Sequence, residues 1–79
     1  MMLHKIRGRR AELDLSQRDV AVALGISESS YRAKESGKVK FSESEKFALG
    51  RILVMTPGEI NDWLFGGQFP LETAKVAIF

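Results

Sequence analysis

Between Gln17 and Ser36 the chain reads QRDVAVALGISESSYRAKES, and Gly25-Ile26-Ser27 within it constrains the fold more than any other feature. Val20, Ala21 and Leu24 recur at i, i+1 and i+4, one face of a helix. Gly25 then falls where a helix is closed by a residue of positive φ. Ile26 supplies an apolar plug, and Ser27 is a ready N-cap for a second helix. The small Ala21 lets that second helix cross closely over the first, at the steep angle a short turn imposes.

The flanking pattern is also helical. A first helix is expected over about Met2–Leu13, with Leu3, Ile6, Arg10 and Leu13 on one stripe and Lys5, Arg7 and Arg9 off it. Gly8 costs about 1 kcal/mol against alanine inside that helix, so it must depend on packing. Ser16 caps the second helix, Gln17–Leu24, with Asp19 favourably placed in its first turn. The third helix is read as Glu28–Ser36, closed by Gly37, and Phe41 anchors the following loop. Ser42-Glu43-Ser44-Glu45 is a capping box opening a fourth helix, whose apolar face is read as Phe47, Ala48, Ile52 and Leu53, ending near Val54. A second box, Thr56-Pro57-Gly58-Glu59, has proline at the first helical position, where its missing N–H costs nothing. Ile60, Trp63 and Leu64 follow at helical spacing, and Gly66-Gly67 stops this fifth helix. The chain is thus read as all-α and compact, a five-helix domain over residues 1–67 with a short C-terminal tail over 68–79. In the tail, Pro70 opens either a sixth helix through Ala77 or a strand or apolar hook through Val76, Ile78 and Phe79. Its apolar character suggests burial against the body of the domain or, as favoured here, against a second copy, with Trp63, Phe65 and Phe69 contributing.

Composition narrows the function. A chain of 79 residues has room for one small core, burying about 60% of its unfolded surface. Cysteine is absent, so disulfides and thiolate metal sites are excluded. No apolar run approaches the roughly 20 residues of a membrane span, and the basic N-terminus lacks a signal peptide's apolar segment, so a cytoplasmic protein without membrane contact is expected. His4 is the lone histidine and has no neighbours to complete a metal site or a triad. No phosphate-binding glycine pattern is present either. An enzyme is therefore not expected, and neither is a metal, a cofactor or a small-molecule ligand. The net charge of +2 is unevenly placed. Residues 1–40 hold nine Lys/Arg against five Asp/Glu, whereas 41–79 hold three against five. The positive half contains the central helix pair, as a surface facing a polyanion requires.

These residues carry a resemblance. LSQRDVAVALGIS (Leu15–Ser27), then Tyr31, Lys34, Glu35 and Gly37, and further on FSESEKFALGRIL and TPGEINDWLF, resemble the Cro/C1-type (lambda-repressor-like) helix-turn-helix regulators. The likeness is greatest to the small Cro-like proteins of phages and prophages of Gram-positive bacteria, and it covers roughly Leu3 to Gly67. It implies a repressor in the bacterial cytoplasm, associated with the nucleoid, binding double-stranded DNA as a homodimer on a palindromic operator. Two heads would lie about 34 Å apart on successive major grooves. It also implies that Arg10 pairs with Glu35, holding helix 1 to helix 3, and that Gln17 contacts a phosphate.

With helix 3 in the major groove, Tyr31 should turn inward, leaving Glu28, Ser29, Arg32 and Ala33 to face the bases. Arg32 suits a bidentate contact to guanine, Glu28 can accept from a cytosine amino group, and Ala33 offers a methyl to thymine. Gln17, Arg18, Ser27, Lys38 and Lys40 are the phosphate candidates. Two residues depart from the family pattern: Arg9 stands where an apolar residue is usual in helix 1, and Lys34 where one is common late in helix 3. Two other functions stay open, an antitoxin of a toxin–antitoxin operon and a protein-interaction module that does not bind DNA.

Overall fold

Side-chain caps and left-handed turns lay out the path of the chain. In the computed structural model, which describes residues 1–68, the helices are α1 (Leu3–Glu12), α2 (Gln17–Leu24), α3 (Glu28–Glu35), α4 (Glu43–Ile52) and α5 (Pro57–Glu59). The last continues without a break into a π-helical stretch, Ile60–Leu64. No strand occurs among the described residues. The expected tail elements from Phe69 onward lie outside them.

Each helix from α2 to α5 starts with a side-chain cap. Ser16, Ser42 and Thr56 accept from the backbone N–H groups of Asp19, Glu45 and Glu59, whose carboxylates accept in return from the cap N–H. Ser27 accepts from the Ser30 N–H. Those reciprocal bonds hold the carboxyls of Asp19 and Glu59 below the usual carboxylate range, the backbone N–H of the cap being the main cause.

Helices α1 to α4 all end in one turn, a Schellman motif, in which two backbone N–H groups fold back onto carbonyls of the last turn. Leu15 N–H bonds Arg10 O, Ile26 bonds Ala21 O, Lys38 bonds Ala33 O and Met55 bonds Gly50 O, at 2.8–3.0 Å. The left-handed residue is Gly25 (φ 75°) or Gly37 (φ 88°) as expected, but also Asp14 (φ 55°) and Val54 (φ 53°). A β-branched side chain is strained there. The residue after the left-handed position holds three of these turns in place. Leu15, Ile26 and Met55 are apolar, and the motif turns each of them inward onto the core.

The core gathers Ile6, Val20, Ala21, Tyr31, Phe41, Phe47, Leu49, Leu53, Met55, Ile60 and Leu64. Two faces differ from the expected ones. Leu13 is exposed, since α1 ends at Glu12. In α4, Leu49 and Gly50 are buried, while Ala48 and Ile52 are only half-buried. Gly50 is the reason: a Cβ there would lie 2.5 Å from Ile60 Cδ1 and 2.6 Å from Ile60 Cγ1. The helix turns this bare backbone toward the π-helical stretch, so Ile60 packs directly on it. Ile60 and Leu64 are both buried, since the wider turn still brings residues four apart to nearly the same side.

Arg9 and Lys34, the two departures from the family pattern, each have a place. The Arg9 guanidinium lies 5.1 Å from the Trp63 ring centroid. It donates to Leu53 O and Val54 O, both at 3.1 Å, and to Glu59 Oε2 at 2.7 Å. One arginine thus binds the carbonyls at the end of α4 and ties them to α1 and α5, covering the tryptophan as an apolar side chain would. Lys34 Nζ donates to both Glu45 carboxylate oxygens at 2.6 Å, joining α3 to the cap of α4.

Candidate nucleic-acid interface

The helix pair is positioned from below by one buried carboxylate. Glu35, in the last turn of α3, is 2% exposed and is the only buried charged residue among those described. Arg10, from α1, donates through Nε to Oε2 at 3.0 Å and through Nη2 to Oε1 at 3.2 Å, a bidentate fork, and its Nη1 reaches Leu15 O at 3.0 Å. Gln17, at the start of α2, donates from Nε2 to Glu35 Oε1 at 3.1 Å. Arg7 Nη1 bonds Glu35 O at 3.1 Å. Three helices thus converge on one residue. Burial works against its ionisation, but the hydrogen bonds from Arg10 and its other neighbours outweigh burial and leave its pKa below the ordinary value. The Tyr31 hydroxyl lies beside this carboxylate without meeting it in hydrogen-bond geometry. Burial first, and the carboxylate second, push its pKa well above that of a free phenol.

Tyr31 is fully buried and faces inward, which leaves the opposite side of α3 open. An open groove runs along that side, lined by Gln17, Glu28, Ser29, Arg32, Ala33, Ser36 and Lys38. All four residues expected to face bases lie on it, with Gln17 and Lys38 from the phosphate set. Ser36 is an addition to the expected set; it continues the same face, seven residues after Ser29 and four after Arg32, a spacing that could have identified it.

The remaining phosphate candidates stand apart. Arg18 and Lys40 are exposed. Lys40 opens onto a second, more apolar cleft with Met1, Leu3, Val39 and Phe41. Ser27 is occupied as the cap of α3, and its hydroxyl also donates to Ser30 Oγ at 2.9 Å. The N–H groups of Gln17 and Arg18, in the first turn of α2, have no intrahelical acceptor.

Two short helices are thus joined through Gly25-Ile26-Ser27, the second presenting a polar outer face. A family model described as a helix-turn-helix domain matches residues 3–63. The chain belongs to the helix-turn-helix domain family. No curated protein and no solved structure matches it. In this helix-turn-helix domain α2 and α3 are the two motif helices, α4 packs on α2 and α1 on α3, and Arg10 with Glu35 ties α1 to α3. No helix among the described residues is long and apolar enough to cross a membrane.

Charge on the outer face of the helix-turn-helix is mixed. The Arg32 side chain is 62% exposed, and its Nη2 pairs with Glu28 Oε2 at 2.5 Å, one helical turn away. Its Nε donates to Gln17 Oε1 at 3.0 Å. Two of the five N–H donors of this guanidinium are therefore engaged within the protein, leaving three for a ligand.

Proposed function

We propose that this protein is a sequence-specific DNA-binding transcriptional regulator, a Cro-like repressor that acts as a homodimer on a palindromic operator. The observation that carries the reading is the outer face of α3. It joins Glu28, Ser29, Arg32 and Ala33 in one open groove with Gln17 and Lys38. An α-helix fits the major groove with its N-terminal residues nearest the base edges, and Glu28 and Ser29 open α3, with Arg32 one turn further on. Arg32 has the free N–H groups for a guanine edge, and Lys38, Lys40 and Arg18 lie exposed to meet phosphates. Phage origin and dimerisation rest on the family resemblance.

The test is binding to the DNA upstream of the protein's own gene against a scrambled duplex, titrated with salt. The regulator predicts preference for the upstream duplex, with affinity falling as salt rises. Arg32→Ala should reduce that preference by about 5- to 150-fold, the discrimination of one bidentate base contact. No binding to either duplex at low salt would reject the reading. The Glu28 carboxylate offsets part of the positive charge of the face, and in that event a protein-interaction module is the favoured alternative.

A further inference from the structure

We infer that Gln17 is a positioning residue for Arg32, so that the buried Glu35 carboxylate dictates, through the Gln17 amide, how Arg32 presents itself to a base. This rests on the proposal that α3 reads DNA.

Donors and acceptors can match in only one way here. An ionised carboxylate only accepts, so Glu35 Oε1 can receive only the NH2 end of the Gln17 amide. The contact is 3.1 Å, and Glu35 is itself fixed by the Arg10 fork. The amide is thereby locked with its oxygen turned toward α3. That oxygen only accepts, and what meets it is Arg32 Nε at 3.0 Å. Glu28 restrains the same guanidinium through Nη2. A long, exposed arginine otherwise carries large rotamer freedom that it must lose on docking. Two restraints from the protein reduce that loss and aim the remaining N–H groups. The chain of contacts runs from Arg10 in α1 through Glu35 and Gln17 to Arg32 on the open face.

This differs from the phosphate role that the family resemblance implies for Gln17. Its amide oxygen is committed to an arginine, and one amide N–H to a carboxylate. Only the second amide N–H and the backbone N–H stay available to a phosphate. The two roles leave different marks. A phosphate contact changes affinity almost equally for all sequences, whereas a residue that aims a base reader changes preference at one position.

The experiment is selection of binding sites from a random duplex library by the full-length wild type, Arg32→Ala, Gln17→Met and Gln17→Ala, each first checked for a cooperative melt above the selection temperature. A guanine position that disappears in Arg32→Ala supports the reading of α3. Weakening of that same position in the Gln17 variants by about 2- to 10-fold, the worth of one net hydrogen bond, with other positions retained, supports the inference. An intact guanine position with uniformly lower affinity overturns the inference and leaves the regulator standing. A wild type that selects no motif overturns the regulator, and the inference with it. A measurement without DNA or variants stands beside these: the Arg32 Nε–H of the free protein should exchange with water more slowly than that of the exposed Arg18. Equal rates overturn the inference whatever the DNA result.

Discussion

Replacing Arg10 by methionine keeps much of the apolar stem of the side chain and removes the charge facing Glu35. The pair is well shielded, with side-chain exposures of 19% for Arg10 and 2% for Glu35, so solvent does little to compensate the loss. Glu35 would keep the bond from Gln17 and lose both bonds from the guanidinium. Breaking a buried pair by removing one partner costs about 3–5 kcal/mol, because the other charge is left uncompensated. A chain of this length has roughly 4–12 kcal/mol of total stability, so Arg10→Met should lower the melting temperature by some 12–40 °C at pH 7. The effect should depend on pH in a definite direction. In the wild type the folded-state pKa of Glu35 is lowered, so its contribution is present above the unfolded value near 4.3 and is lost as pH falls below it. In the variant, burial without the arginine raises the folded-state pKa, so the penalty grows above the unfolded value and disappears on acidification. The gap between the two proteins should therefore narrow from pH 7 to pH 4.5. Urea denaturation followed by circular dichroism at both pH values measures it, and Arg10→Met/Glu35→Gln should recover most of the loss. A cost below about 1 kcal/mol at pH 7, or a gap independent of pH, would refute the buried-pair account.

Further substitutions test the packing. Gly8→Ala and Gly50→Ala make the same change inside helices with opposite surroundings: nothing lies within 4 Å of the added methyl at Gly8, and Ile60 Cδ1 lies 2.5 Å away at Gly50. Calorimetry should find Gly8→Ala stabilising by about 1 kcal/mol. Gly50→Ala should instead be destabilising by up to about 2 kcal/mol, because overpacking exceeds the same propensity gain. Val54→Gly relieves a β-branched residue at φ 53° whose side chain is mostly exposed, and a gain of about 1 kcal/mol in urea denaturation is expected. Arg9→Ala removes the donor to Leu53 O, Val54 O and Glu59 and uncovers Trp63. It should cost about 2 kcal/mol and red-shift the fluorescence of the single tryptophan.

Features whose physics is local were legible in the sequence. Capping boxes need only residues three apart, and those at Ser42 and Thr56 form with the expected partners. Gly25 and Gly37 end helices because glycine enters positive φ with least cost. The same turn at Asp14 and Val54 has no glycine to mark it, because there the apolar residue after it, Leu15 or Met55, determines the turn from the core side. The face of α4 differs from its hydropathy pattern for a similar reason: a glycine has no side chain to mark it as apolar, so its burial against Ile60 depends on a contact across the fold. Arg9 and Lys34 stand out as departures from the family pattern when only their charge is weighed. Trp63 and the α4 carbonyls, and Glu45 for the lysine, supply what an isolated helix does not show. At the candidate site the outward residues of α3 followed from helical spacing once Tyr31 was turned inward. The link from Gln17 to Arg32 joins residues 15 apart through two side chains, and no spacing rule contains it.

Whether DNA binds on the outer face of α3, with the start of α2, is tested most directly by NMR. Backbone amide shifts of the full-length protein are followed as a duplex carrying its selected sequence is added. The largest changes should fall on Gln17, Arg18, Glu28, Ser29, Arg32, Ala33 and Lys38, with the Arg32 side-chain Nε–H moving among them. Changes centred on α4 and the α5 segment, with α3 silent, would contradict that placement.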